Sequence, residues 1–145
     1  EEYCMFRNVY AKLIIAIVAG ILAGSVFNGV VSLLNLSLYP VPEGVRWDDV
    51  GAMELYLTSL PIMAFVIILI AQVGQAFVGG LVAALIGRSF EMFVALVIGM
   101  SSLVSGIMNM LSLPMPAWMW IEMPLYIIAA YGAAKLVMSR RADQT

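Results

Sequence analysis

The stretch LIIAIVAGILAGSVFNGVVSLL, residues 13–34, decides the fold class of this 145-residue chain. Its 22 residues carry no charge. An α-helix rises about 1.5 Å per residue, so the run can cross a hydrocarbon core about 30 Å thick. Arg7 and Lys12 precede it, as in a signal peptide, but no small-residue cleavage site follows and the run exceeds a signal peptide's apolar region. We expect a retained first transmembrane helix.

The rest of the chain repeats this apolar character. Hydrophobic residues make up 63% of the sequence and charged residues 11%, against about 45–50% and about 25% in soluble domains. Sixteen charged side chains cannot cover the surface of a soluble domain this long. The sequence therefore predicts an all-α polytopic membrane protein, one four-transmembrane-helix bundle over residues 1–145. The expected spans are about 13–34, 60–86, 92–113 and 118–138, with an outer loop over 35–59.

The basic residues predict the orientation of the bundle. Four spans place six of the seven basic residues on one side: Arg7, Lys12, Arg88, Lys135, Arg140 and Arg141. Arg46 alone lies on the other side, among the acidic residues of the outer loop. Positively charged loops stay in the cytoplasm, so we expect both the N-terminus and the C-terminus inside (N-in and C-in).

The outer loop contains a candidate surface helix. The turn-forming segment 40–44 breaks the chain, and either Asp48 or Asp49 could cap a short helix after it. That helix would lie on the membrane surface with three apolar residues on one face: Val50, Met53 and Leu57. An irregular loop is the alternative.

Glycines at helical spacing predict close helix packing. Small residues let helices approach closely in lipid, and the candidate packing positions are Gly20, Gly24, Gly80 and Gly106. The simpler interpretation places them inside the four-helix bundle. The alternative is that Gly20 and Gly24 face a partner protein.

Each span also supplies a polar side chain at membrane depth: Asn28, Gln72, Asn109 and Glu122. Glu122 is the most informative, because an acid about a turn below the outer surface is costly unless it is neutralised, paired or wetted. Pro124 removes a helical hydrogen bond nearby, which predicts irregular backbone. The four side chains either line a cavity open to the outside or bond one helix to another.

The sequence lacks the residues that several classes of catalysis and ligand binding require. The chain has no histidine and a single cysteine, Cys4, and no nucleophile, phosphate-binding or zinc motif is present. We therefore expect no enzyme, no cofactor and no metal. A net charge of −2 gives no basic patch for nucleic acid.

Met115, Met119 and Met123 lie at i, i+4, i+8, a spacing that suits Cu(I) binding by thioethers. The alternative is that these methionines fill gaps in an apolar core.

The second half of the chain resembles a family of small, uncharacterised bacterial inner-membrane proteins with four predicted spans. The resemblance covers roughly residues 60–135 and rests on three segments: Ala76 to Ala84, Gly106 to Asn109, and the series Asn109, Pro114-x-Pro116-x-Trp118, Glu122. The family more often has Asp at the acidic position. It often carries a His-Ala pair near residues 71–75, which this chain lacks, so a role for that histidine does not carry over. The resemblance implies a bacterial inner membrane and no particular activity.

These features predict a structural or accessory subunit that forms a homo-oligomer or joins a larger membrane complex. Its expected partners are the lipid bilayer and other membrane subunits. The alternative is a transporter or channel for a small solute, proton or cation, with an outward-facing polar site around Glu122. A third possibility is a lipid-modifying enzyme with Glu122 as a lone general base.

Overall fold

A computed structural model describes the backbone of residues 2–143 and the side chains of residues 9–143. In chain order its elements are α1 (Glu2–Leu38), α2 (Val50–Ser59), α3 (Ile62–Ile86), α4 (Glu91–Ser112), a 3₁₀ helix (Ala117–Ile121) and α5 (Glu122–Ala142). The described residues contain no β-strand. The spans Val9–Leu38, Ile62–Ile86, Glu91–Ser112 and Ala117–Ala142 are long and apolar enough to cross a membrane. The predicted all-α, four-span fold class is confirmed.

The helix ends differ from the predicted spans. α1 continues four residues past the predicted end of its span, to Leu38, because the residues after 34 lower the hydropathy without breaking a helix. It ends where Tyr39 precedes Pro40, a position that disfavours helical backbone. The non-helical part of the predicted outer loop is therefore 39–49, followed by α2. The fourth span begins with a 3₁₀ turn, and Pro124 is the third residue of α5, which matches the irregular backbone expected beside it.

α3 is the central helix of the bundle. It packs against α1, α4 and α5, and α4 also packs along α5. α1 lies mainly against α3, with only a minor contact with α4. One side of α1 therefore faces away from the bundle, and apolar side chains cover it: Ile14, Ile15, Val18, Leu22, Val26, Val30 and Leu33.

Glycines bring the helix backbones together. A Cβ on Gly20 would lie 2.6 Å from the carbonyl oxygen of Gly79, and a Cβ on Gly79 would lie 2.7 Å from that of Gly20. A Cβ on Gly24 would lie 2.6 Å from the carbonyl oxygen of Gln75. The proposed partner-facing role of Gly20 and Gly24 is therefore wrong, since both residues face α3 of the same chain.

The other two candidate packing glycines lie against α5. Gly80 of α3 faces Ala130, and Gly106 of α4 faces the ring of Tyr126. A side chain at either position would displace α5 or this ring. All four candidate packing glycines thus lie at contacts between helices of one chain.

The predicted short helix in the outer loop is present as α2. Its N-cap is Asp49, whose carboxylate accepts a hydrogen bond from the Ala52 amide at 3.0 Å. Such a bond satisfies one of the free amides at a helix start and contributes about 1 kcal/mol. Of the predicted apolar face, Met53 and Leu57 are buried against the bundle, but Val50 is 65% exposed. Tyr56 is buried in its place. The side of α2 that contacts the bundle is therefore rotated about the helix axis from the predicted apolar face.

α2 covers the end of the bundle that carries the acidic loop, called here the acidic end. Met53, Tyr56 and Leu57 form an apolar cluster with residues of three other elements: Phe65, Met110 and Met119. The Tyr56 hydroxyl donates a hydrogen bond to the Tyr39 carbonyl at 2.7 Å, and burial raises the pKa of this phenol. α2 therefore lies on protein rather than only on the lipid surface.

Candidate functional site

Two of the four candidate polar residues meet between α1 and α3. The Asn28 amide nitrogen donates to Gln72 Oε1 at 3.1 Å and to Gln75 Oε1 at 2.6 Å. The Asn28 oxygen accepts a hydrogen bond from the Ser32 hydroxyl at 2.9 Å. Asn28 can do this because it lies one turn beyond Gly24, where the two helices are in backbone contact. The Asn28 cluster (Asn28, Ser32, Gln72 and Gln75) is half-buried.

The bonds of the Asn28 cluster connect one helix to another. Both amide hydrogens of Asn28 have acceptors, and its oxygen has a donor. Such interhelical bonds contribute roughly 0.6–2 kcal/mol each in lipid. Asn28 and Gln72 therefore hold α1 on α3. For these two residues the structure agrees with the alternative that the polar side chains bond one helix to another.

Glu122 lies apart from this cluster, at the start of α5. Its side chain is 1% exposed, and neither carboxyl oxygen has a hydrogen-bond partner. Tyr126 lies one turn later, close enough to interact with the carboxyl group electrostatically. The Tyr126 ring is also fully buried, and its hydroxyl makes no hydrogen bond of ordinary geometry. Two neighbouring buried polar groups without a hydrogen bond of ordinary geometry are unusual in a folded protein.

Asn109 is half-buried near the end of α4. Within residues 9–143 its side chain forms no hydrogen bond with any of the other three candidates. The four side chains do not form one shared cavity, which was one of the two alternatives: Asn28 and Gln72 hydrogen-bond to each other, whereas Glu122 and Asn109 lie apart from them. Helix order separates Asn28 from Glu122, because α1 packs on α3 rather than beside α5.

A polar cavity of about 260 Å³ lies between α1, α3 and α4. Its polar lining consists of one glutamine and four serines: Gln75, Ser25, Ser101, Ser102 and Ser105. The Ser101 hydroxyl donates a hydrogen bond to the Val97 carbonyl at 2.9 Å, as serines in membrane helices commonly do. Ser102 is 4% exposed, and its hydroxyl has no hydrogen bond to any described residue. This serine cavity opens on the side of the bundle that α1 leaves uncovered.

The methionine stripe lies at the acidic end. Met119 is 1% exposed and belongs to the apolar cluster beneath α2, and Met115 and Met123 pack against that cluster. Their neighbours include aromatic and aliphatic side chains such as Phe65 and Leu57. Thioethers in such surroundings fill space between irregular surfaces.

Three groups in these sites were not among the residues predicted from the sequence. Tyr126 lies four residues after Glu122, and Ser32 four residues after Asn28, so i, i+4 spacing could have indicated both. The Ser101, Ser102 and Ser105 series is visible in the sequence, but only helix order shows that it faces Ser25 and Gln75.

The fold and these sites define a polytopic all-α membrane protein with polar groups inside its spans. No protein-family model, curated protein or solved structure matches the chain.

Proposed function

We propose that the protein is a structural or accessory subunit of a bacterial inner membrane, without catalytic activity, which forms a homo-oligomer or joins a larger membrane complex. The observation that carries the proposal is the uncovered side between α1 and α4. Ser25 and Ser105 are exposed there at membrane depth, beside the buried and unbonded Ser102. Lipid tails cannot bond hydroxyl groups, whereas a partner helix can.

The spacing on α1 supports a helix as the occupant. Ser25 and Gly29 are four residues apart, and a Cβ on Gly29 would meet nothing within 4 Å. Small-x3-small pairs let two helices approach closely. Gly20 and Gly24 are already used against α3, whereas Ser25 and Gly29 form a small pair on the described part of α1 that no other helix of the chain covers. The fixed bonds of the Asn28 cluster also favour a structural role.

The test compares Gly29→Leu with Gly132→Leu. Both glycines have open space around them, so neither leucine should disturb the bundle, but only Gly29 lies on the proposed face. Native mass spectrometry of protein released from membranes should show an oligomer or a co-purifying subunit for the unaltered chain and for Gly132→Leu. Gly29→Leu should weaken that assembly at least tenfold. A monomer without partners at every protein-to-lipid ratio would contradict the proposal.

A second candidate function is supported by the unbonded oxygens of Glu122. A transporter or channel for a small solute, proton or cation would use this carboxyl group as its site. Infrared spectra of the protein in lipid, recorded from low to high pH beside Glu122→Gln, test this function. A carboxyl band that titrates near neutral pH and is absent from the variant would favour it. A band that never titrates would exclude a proton site.

A further inference from the structure

The opposite end of the bundle, where α3 and α5 finish, carries a groove between these two helices. We call this end of the bundle the basic end. The groove has a volume of about 500 Å³. Its walls are apolar side chains of both helices, and its mouth is formed by arginines. Ala84 and Ala134 pack beneath it, and their small size lets the helices approach while the larger wall residues project outward.

The spacing of the groove-lining residues along each helix places the apolar residues before the arginines. On α3, Leu81 and Leu85 are one turn apart, and Arg88, two residues beyond the end of α3, also lines the groove. On α5, Leu136 precedes Arg140 by one turn. The two helices therefore present apolar surface toward the membrane interior, with a guanidinium group near the end of each. A phospholipid has the same order of groups, with acyl chains below and a phosphate above.

Two of the three arginine charges at the mouth are not balanced by protein groups among the described residues. Arg141 forms an ion pair with Glu91 and donates to the Leu85 carbonyl at 2.7 Å. These bonds fix the end of α5 to α3 and α4 and neutralise Arg141. Arg88 and Arg140 are exposed, and neither has an ion pair with any residue between 9 and 143. Two guanidinium groups are thus left for an external anion.

We propose that this groove binds a phospholipid with an anionic headgroup. Arg88 and Arg140 hold the phosphate, since guanidinium groups match phosphate geometry. An acyl chain lies along Leu81, Leu85 and Leu136. The positive-inside pattern places the basic end at the cytoplasmic surface, where basic pockets between helices bind lipid headgroups. The apolar walls distinguish this site from a simple phosphate site, which would not need them.

The test uses native mass spectrometry of the full chain in detergent, with dioleoyl phosphatidylglycerol and dioleoyl phosphatidylcholine as probes. The variant carries Arg88→Gln and Arg140→Gln. The control carries Lys12→Gln and Arg46→Gln, which remove the same charge at residues that do not line the groove. Each basic residue contributes about fivefold to anionic lipid binding, so phosphatidylglycerol should bind the variant about 25-fold more weakly. The control should keep the affinity of the unaltered chain.

A second variant tests the apolar walls. Leu85 is half-exposed, so Leu85→Trp should fold, fill part of the groove and weaken phosphatidylglycerol binding with both arginines present. Equal binding of the two lipids, or full binding by the double arginine variant, would overturn the proposal. Displacement of the lipid by millimolar inorganic phosphate, with no effect of Leu85→Trp, would show a phosphate site instead.

Discussion

The contact between Gly20 and Gly79 predicts a specific cost for one added methyl group. The Cβ of Gly20→Ala would lie 2.6 Å from the Gly79 carbonyl oxygen and 2.9 Å from the Ala83 Cβ. Ordinary contact begins at 3.4 Å, so α1 must move by the difference, about 0.8 Å. The obstacle is backbone of α3, which cannot rotate away as a flexible side chain can.

The magnitude follows from this displacement. A gap of about 0.5–1 Å removes a quarter to a half of the dispersion energy of each contact. Overpacking of a close interface typically costs about 1–3 kcal/mol. Gly132→Ala is the matched control, because its Cβ meets nothing within 4 Å. Alanine improves helix propensity in both variants, so the difference between them isolates the α1–α3 contact.

The assay is unfolding in mixed micelles by increasing SDS, followed by tryptophan fluorescence. We expect a free energy of unfolding about 1–3 kcal/mol lower for Gly20→Ala than for Gly132→Ala. A Gly20→Ala, Gly79→Ala double variant should lose less than the sum of the two single losses, because one substitution already separates the helices. Equal stability of Gly20→Ala and Gly132→Ala, within about 0.5 kcal/mol, would refute this account of the interface.

Three further predictions concern polar side chains. Asn28→Leu should lower the free energy of unfolding by about 1 kcal/mol in the same assay, because Gln72 and Gln75 lose their shared donor; an unchanged value would show that these bonds are not stabilising. Glu122→Met should leave that free energy unchanged or raise it by about 1–3 kcal/mol, since it removes two buried oxygens without partners, whereas a loss of stability would point to a partner for the carboxyl group. Tyr56 should ionise above its ordinary value of 10.0, as measured by phenolate absorbance against Tyr56→Phe. Because its folded pKa is raised, its contribution to stability is complete below pH 10 and declines as pH rises through the folded pKa.

Local features of the sequence predicted the helices well. The span boundaries at residues 86 and 112–113 were found within a residue because a glycine and two prolines interrupt the apolar runs there. Asp49 was one of two predicted caps for α2, and it makes the capping bond. Hydropathy was less informative at α1, whose helix continues to Leu38 through residues of lower hydropathy. Backbone hydrogen bonds in a helix are local, so a polar residue near its end does not terminate it.

The polar site was not predictable to the same degree. Asn28, Gln72, Asn109 and Glu122 were each placed at membrane depth by counting residues along their spans. Whether they meet depends on which helix lies beside which, and the sequence of a single chain does not encode this order locally. The structure joins Asn28 to Gln72 and leaves Glu122 beside Tyr126.

The sequence by itself determined that this is a four-span helical membrane protein, because apolar length and helical periodicity are properties of consecutive residues. It also determined which side of the bundle is basic. Only the tertiary structure decided that Gly20 and Gly24 face α3, that Ser25 and Gly29 remain free, and that Arg88 and Arg140 meet at one groove. The physical reason is that lipid solvates every apolar helix face almost equally, so hydropathy does not select neighbours. Close backbone contacts and a few interhelical hydrogen bonds select them instead.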